Sequence, residues 1–305
     1  MQERYYKFSR FLKEKYGEKV WKIPVDAGLS CPNKDPITGT GGCVFCRNDS
    51  FSQMQSLQNI SLAEQIEKAI AAARTRQGIN KYLVYFQSST NTFAPPEALS
   101  RYFNQALQSP GVVGLAIATR PDCLPPDVLH IISELAAKTD VWIELGLQSS
   151  HNTTLQKINR GHTFEAYLDA VEKLKKLPVR ICTHIMIGLP GEERSHIIAT
   201  ADKIAATGTH EVKIHPLLVL KDTALEKMFI NKDFSELELP DYVMLVCDFL
   251  ERIPAGMVVQ RLTAESPREM LIAPAWAEHK HLVLQAINAE LIKRESRQGA
   301  HCSIK

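Results

Sequence analysis

Short apolar runs rich in β-branched residues alternate along this chain with longer segments whose apolar positions recur at helical spacing. Seven runs read as strands: Val20–Val25, Tyr82–Gln87, Val112–Thr119, Val141–Leu147, Arg180–Ile187, Val212–Leu218 and Met257–Leu262. The segments between them open on helix signals. Ser61 stands three residues before Glu64, the spacing of a capping box, ahead of LAEQIEKAIAAARTRQG. Pro95-Pro96, Pro125-Pro126 and Pro240-Asp241 start three more, because a first turn does not need the N–H that proline lacks. Thr163 leads FEAYLDAVEKLKKL, in which Phe164, Leu168, Val171 and Leu174 are expected on one buried face.

From the second strand onward the strands start about 30–45 residues apart, the length of a βα unit. Their near-continuous apolar character suits parallel strands covered on both sides. Such a series forms either an open doubly wound sheet or a barrel, and parity within the strands chooses. Glu144, Gly146 and Gln148 share one face, as do Cys182, His184, Met186 and Gly188, and Lys213 with His215. Gln87, Arg120 and Arg261 fall near the C-terminal ends of their strands. Polar residues on one parity of several strands need a common wet or ligand-filled space, since unpaired burial costs about 2–7 kcal/mol each. A barrel lumen supplies that space, and βα barrels place their sites at this end.

The 305 residues are 45% hydrophobic and 23% charged, which excludes a disordered chain, a collagen and a disulfide-stapled miniature. Lys plus Arg number 36 against 34 Asp plus Glu, a net charge of +2. That balance argues against a strongly basic nucleic-acid coat protein and leaves room for a local basic face. The N-terminal MQERYYKFSRFLKEKYGEK lacks the apolar core of a secretory signal, and no lipidation signal is evident. The longest apolar stretches, VGLAIA, HIMIGLP and HPLLVL, fall far short of the roughly 20 residues that span a bilayer, so no membrane partner is expected. Seven cysteines, an odd number, point to a reducing, cytoplasmic setting. Around the N-terminus seven cations, Arg4 to Lys22, interleave with Tyr5, Tyr6, Phe8, Phe11, Tyr16 and Trp21. This segment reads either as a stacking and phosphate-binding face for RNA or as an amphipathic helix packed beneath the barrel. The tail with Lys293, Arg294 and Arg297 is similarly ambiguous.

The most informative stretch is VDAGLSCPNKDPITGTGGCVFCRND, which follows the first strand and spaces Cys31, Cys43 and Cys46 as Cys-x11-Cys-x2-Cys. So much Gly, Pro, Asn and Asp cannot pack as helix or strand, yet the loop carries three thiols that can converge on a metal or cluster. Structural zinc wants a fourth ligand, and only the remote Cys123 or Cys182 offers one. Three cysteines on a cubane instead leave one iron open to a small chelating molecule.

Cys43-Val44-Phe45-Cys46 resembles the closing half of the radical S-adenosylmethionine (SAM) signature. That superfamily usually has three residues between its first two cysteines; the eleven here resemble the subgroup containing the catalytic subunit of Elongator. Through GLSCPN, GGCVFC, YFQSSTNTF, ATRPDCL, LGLQS, INRGH, IGLPGE and HPL, the chain resembles the YhcC-type (YtqA-like) radical SAM proteins over nearly its full length. The resemblance implies an α/β fold, a partial parallel (β/α)6-type barrel over 20–235, with N- and C-terminal helical extensions over 1–19 and 236–305. It also implies a 4Fe–4S cluster on Cys31, Cys43 and Cys46. An electron passed through it from a donor such as flavodoxin or ferredoxin cleaves SAM to methionine and a 5′-deoxyadenosyl radical.

Carried onto this sequence, Phe45 shields the cluster and approaches the adenine. Gln87 and Ser88 take the position of the motif that binds the methionyl amino group, although no carboxylate is present there. Arg120 is the cation for the SAM carboxylate. Glu144 and Gln148 resemble the positions that reach the ribose or the amino group, with an ion pair to Lys213 or Arg261 as the alternative for Glu144. Arg160 binds the carboxylate or the substrate, and His162 beside it reads as a helix cap. Gly188 and Leu217 pack against adenine, with His215 beside Leu217. Cys182 and His184 line the lumen. The likeness to Elongator's core implies RNA, specifically tRNA, as substrate. A small metabolite is the competing substrate, and a zinc-stabilised RNA-binding module without catalysis is the third reading.

Overall fold

The computed structural model describes residues 3–35, 39–47 and 60–304. Seven parallel strands form one sheet: β1 (Val20–Val25), β2 (Lys81–Phe86), β3 (Val112–Thr119), β4 (Asp140–Gln148), β5 (Arg180–Ile187), β6 (Glu211–Pro216) and β8 (Val258–Arg261). They pair in chain order, β1 to β8 without a crossover inside the sheet. A short antiparallel pair, β7 (Val219–Leu220) with β9 (Leu271–Ala273), stands apart. All seven expected strands are present, and the last adds one parallel strand to the six-unit barrel expected. The sheet curls into a half-barrel. Lys22 on β1 donates to Gln260 on β8 at 2.9 Å, so side chains of the first and last strands meet across the opening.

The outward parity of the sheet is apolar, including Val84, Ile117, Ile143, Ile185 and Ile214, and belongs to one core with the surrounding helices. Packed on it are α2 (Leu62–Gln77), α3 (Pro96–Leu107), α4 (Pro126–Ala136), α6 (Phe164–Leu174) and α9 (Leu239–Arg252); α9 also packs on α7 (Arg194–Thr207) and α10 (Lys280–Lys293). The remaining helices are α1 (Phe8–Tyr16), α5 (Asn152–Lys157) and α8 (Ala224–Ile230). Ser61 and Thr163 cap α2 and α6 through their side-chain oxygens, and prolines open α3 and α4. On α6 the buried stripe runs through Phe164, Tyr167, Val171 and Leu174, whereas Leu168, expected among them, is 38% exposed. The cause is angular: at 100° per residue, Leu168 lies well off the mean direction of the other four. Among the described residues no helix is long and apolar enough to cross a membrane.

The N-terminal ends of the strands are closed by α1. Phe8 stands edge-on to Trp142 with ring centroids 6.3 Å apart, and Leu12, Val20, Leu83, Ala116 and Val258 complete this plug. Arg180 lies over the Phe11 ring at 4.2 Å. Among the segment's cations, Lys7 pairs with Glu3 at 3.1 Å, Arg10 with Glu14 at 2.7 Å and Lys15 with Asp140 of β4 at 2.9 Å. The amphipathic-helix reading of this segment therefore describes what its aromatics do. Truncating the plug, by Phe8→Ala, should lower stability by about 3 kcal/mol, measured as a fall in the urea midpoint of unfolding.

Candidate functional site

The cysteine loop has little regular structure of its own and is held by the segment between α5 and α6. Asn33 donates its amide to Asn159 O at 2.7 Å, to Arg160 O at 3.0 Å and toward Cys43 Sγ at 3.5 Å. Asn159 returns the contact, donating to Thr40 O at 2.9 Å and Gly42 O at 2.7 Å. Val44 N donates to Ile158 O at 3.1 Å, and Leu225 N to Val44 O at 2.8 Å. Gly161 is required here: at φ 78° its missing Cβ would lie 2.2 Å from Asn33 Oδ1. Residues 36–38 and 48–59 of this region lie outside the described residues.

Arg160 crosses from that segment to the end of β4. Its Nε and Nη2 donate to Gly146 O at 3.1 and 2.6 Å, and Nη1 points to Cys43 Sγ at 3.6 Å. A Cβ on Gly146 would meet Arg160 Nη2 at 2.6 Å, so glycine is what lets the guanidinium pass. Arg120 is almost fully buried, and its fork grips Asp122, Nε to Oδ1 at 2.9 Å and Nη2 to Oδ2 at 2.6 Å. It also donates to Arg160 O at 2.9 Å and Gly161 O at 3.2 Å. The two-pronged face expected to meet a bound carboxylate is thus occupied by this chain's own Asp122. The cap of α6 is Thr163 rather than His162, whose Nε2 lies 3.1 Å from Gly146 O.

A cavity of about 220 Å³ opens at the C-terminal ends of the strands. Cys31, Cys43 and Cys46 line it together with Phe45, Gln87, Ser88, Arg120, Glu144, Gln148 and Arg160. Gly188 and Leu217 do not; they face a narrow separate cleft beside Leu237 and Trp276. At φ 96°, Gly188 sits so close to Leu237 that a Cβ would be 3.2 Å from its Cδ1. Three non-glycine residues on the rim of the main cavity hold left-handed backbone, Ser88 (φ 66°), Ser89 (φ 56°) and Gln148 (φ 79°), a strain that concentrates at functional sites. Ser88 Oγ, Thr90 Oγ1 and His215 Nε2 are buried without a hydrogen-bond partner, although all three residues line this cavity. Buried polar atoms of that kind are normally satisfied, and a bound polar group would satisfy these.

No disulfide joins the seven cysteines. Among the described residues no group of three or more His, Cys, Asp and Glu is arranged to hold a metal ion. A tetrahedral zinc ion with Zn–S bonds of 2.3 Å needs its sulfurs roughly 3.8 Å apart. On a cubane each thiolate takes a different iron, and the triangle of sulfurs is wider. Cys31, Cys43 and Cys46 line one cavity, the arrangement that a three-cysteine cluster site requires. Burial pushes the Cys46 thiol up, against the pull of Lys34.

Below the cysteines the lumen is charged. Glu144 is fully buried; Oε1 accepts from Lys22, and Oε2 accepts from His184 Nε2 at 2.7 Å and Lys213 Nζ at 3.0 Å. Lys213 also donates to Tyr85 OH at 2.9 Å. This is the ion-pair arrangement kept open for Glu144. Burial alone would raise its carboxyl, but Lys213, then Lys22 and His184, hold it well below the usual range. Burial, then Lys213, pushes His184 down to about 4, and burial lowers Lys213 to about 8 against the pull of Glu144. Sequence reasoning missed Asn33, Tyr85, Asp122 and Asn159. Only Asp122, two residues from Arg120 in Arg-Pro-Asp, left a local signal.

Residues 38–204 match the Radical SAM superfamily, and residues 209–293 match the Radical_SAM C-terminal domain. The chain is 41% identical over 298 residues to YtqA of Bacillus subtilis, covering 98% of this chain and 92% of that protein. It is 25% identical over 163 residues to a tRNA uridine(34) acetyltransferase of Methanocaldococcus jannaschii, covering 52% of this chain and 30% of that one. Among solved structures, Methanocaldococcus infernus Elp3 with an N-terminal deletion shares the fold, with a TM-score of 0.73 at 18% identity over 92% of this chain and 64% of that chain.

The lumen also sets an acid sensitivity. Between pH 6.5 and about 4 the unfolded chain protonates His184 while the folded protein does not, so stability falls as pH falls through that window. The urea-unfolding free energy of the native protein should lose up to about 1.4 kcal/mol per pH unit more than that of His184→Gln there. Parallel pH profiles for the two proteins would remove His184 from this account.

Proposed function

Because the chain belongs to the radical SAM superfamily, whose enzymes work with a 4Fe–4S cluster and SAM, we propose that Cys31, Cys43 and Cys46 hold that cluster and that the cavity beside them takes SAM. When bound, the cluster supplies the electron that splits SAM into methionine and a 5′-deoxyadenosyl radical. The observation that carries the assignment is one cavity lined by three thiols on one side and by unpartnered polar atoms, Ser88 Oγ and Thr90 Oγ1, on another.

The protein's part is to bind, orient and exclude water. Asn33 and Arg160 donate N–H groups toward Cys43 Sγ, contacts that would tune the potential of an iron held there. Ser88 and Thr90, with Gln87 beside them on the cavity wall, would accept from an ammonium group, in place of the missing carboxylate. Arg120 acts at one remove, fixing the 160–161 backbone that in turn holds the cysteine loop. Phe45 packs with Leu155, Leu189 and Leu217, an apolar wall that keeps water from a reactive intermediate. Reduction calls for a donor, and a flavodoxin or ferredoxin is the proposed one.

For the substrate we infer an RNA, tRNA in the first place, supported by the tRNA-modifying name of the Methanocaldococcus jannaschii relative that aligns with half of this chain. A small metabolite is the second reading. It is favoured by the cavity's size of about 220 Å³ and by Tyr6, Phe8, Phe11 and Tyr16, which pack into the plug rather than standing free for a base, although Trp21 is exposed.

Cys43→Ala should lose most iron and labile sulfide and abolish dithionite-driven formation of 5′-deoxyadenosine, read by anaerobic metal analysis and chromatography. Wild-type protein that carries zinc and no labile sulfide would reject the assignment. Bulk tRNA should be retained with the protein on filters at low salt and released as salt rises. Absence of retention at low salt would decide for the small substrate.

A further inference from the structure

A second cavity of about 210 Å³ adjoins the first, and Phe45, Cys46, Gln148, His184, His215 and Arg261 line both. Arg261 stands at this shared wall, on the last strand of the sheet. Among the described residues only its Nε has a protein acceptor, Thr263 O at 2.6 Å. Among the described residues no carboxylate lies within 4.0 Å of its guanidinium. Two other arginines around the cavities are held by carboxylates, Arg120 by Asp122 and Arg47 by Asp222, and Arg160 donates from all three of its nitrogens to Gly146 O and Cys43 Sγ. Beside Arg261, His215 keeps a buried Nε2 without a partner, its ring tilted 37° against that of His184 with centroids 5.8 Å apart.

Charge points the same way. Glu144 is the carboxylate of the upper lumen and already faces two ammonium groups, Lys22 and Lys213. The carboxylate on the rim of the second cavity, Glu265, is paired with Lys280 at 2.7 Å. Arg261 thus adds positive charge to a space that already has an excess of it, and among the described residues neither Nη group has an acceptor. A guanidinium so placed matches two oxygens of one anion, and a neighbouring imidazole N–H adds a third donor.

We propose that Arg261 and His215 form a subsite for an anionic oxygen group of the substrate, a phosphate ester or a carboxylate, holding the substrate in the second cavity against the Phe45–Cys46 wall of the first. The proposal rests on the reading of the first cavity as the cofactor chamber. It assigns the second cavity to an oxyanion-bearing molecule, either a nucleotide unit of an RNA or a small acid.

The test is equilibrium binding of inorganic phosphate and of acetate to the anaerobically reconstituted protein, with and without saturating SAM. Phosphate or acetate should bind, and Arg261→Gln should weaken the preferred anion by about tenfold or more, as loss of a charge-assisted pair does. His215→Gln should weaken it less. The preferred anion names the substrate's group. An unchanged urea midpoint of unfolding in both variants shows that they fold. Equal anion affinity in the wild type and Arg261→Gln, or no anion binding at all, overturns the subsite. So does displacement of the anion by SAM, because Arg261 would then serve the cofactor's carboxylate. Protein without iron and labile sulfide would fail the cofactor reading instead, a result that metal analysis reports separately.

Discussion

One buried carboxylate organises the inside of this half-barrel. Glu144 on β4 receives Lys22 from β1, His184 from β5 and Lys213 from β6, and Lys213 extends the contact to Tyr85 on β2. Lys22 carries it on to Gln260 on β8. Strands that pair only with their neighbours are thereby tied across the space they enclose. A curled parallel sheet must fill its concave side or keep it polar and satisfied, and here the lower part is filled with rings while the middle is filled with charge. Removing one member of such a buried set leaves its partners uncompensated, at a cost of about 3–5 kcal/mol. The cavity above exists because this layer ends where the strands do.

The site itself depends on a different kind of contact. The cysteine loop has almost no ladder hydrogen bonds, so its shape is set by side-chain amides and guanidinium groups that act as a template. Asn33, Asn159 and Arg160 make the short loop before α6 and the cysteine loop into one unit, and Gly146 and Gly161 are glycines because nothing larger lets those groups approach. The same donors that fix the loop reach a cysteine sulfur, so positioning and tuning of that thiol are done by one set of residues.

What the sequence revealed follows from which forces are local. Strand positions and the parity of Glu144, Cys182, His184, Lys213 and His215 are written in a period of two, and the structure reproduces them. Helix starts at Ser61 and Thr163 are local chemistry as well. Partner choice is not. Nothing within a few residues says that Asn33 would find residues 159 and 160, and the local Arg-Pro-Asp spacing does not by itself say that Arg120 grips Asp122 rather than awaiting a ligand. Gly188 and Leu217 sit at the right strand ends, yet Leu237 and Trp276 come from far along the chain to cover them, and only the folded arrangement shows it.

The N-terminal segment has a duty beyond plugging the barrel. Residue Lys7 forms a parallel bridge with Val259, and Val259 N donates to Tyr6 O at 2.8 Å, so the outer edge of β8 is shielded by the first few residues of the chain. An uncovered parallel edge beside exposed rings is an invitation for another copy to add its own strand. A shortened version starting at β1 would therefore risk self-association before any loss of chemistry, and the segment before β1 doubles as a guard against stickiness.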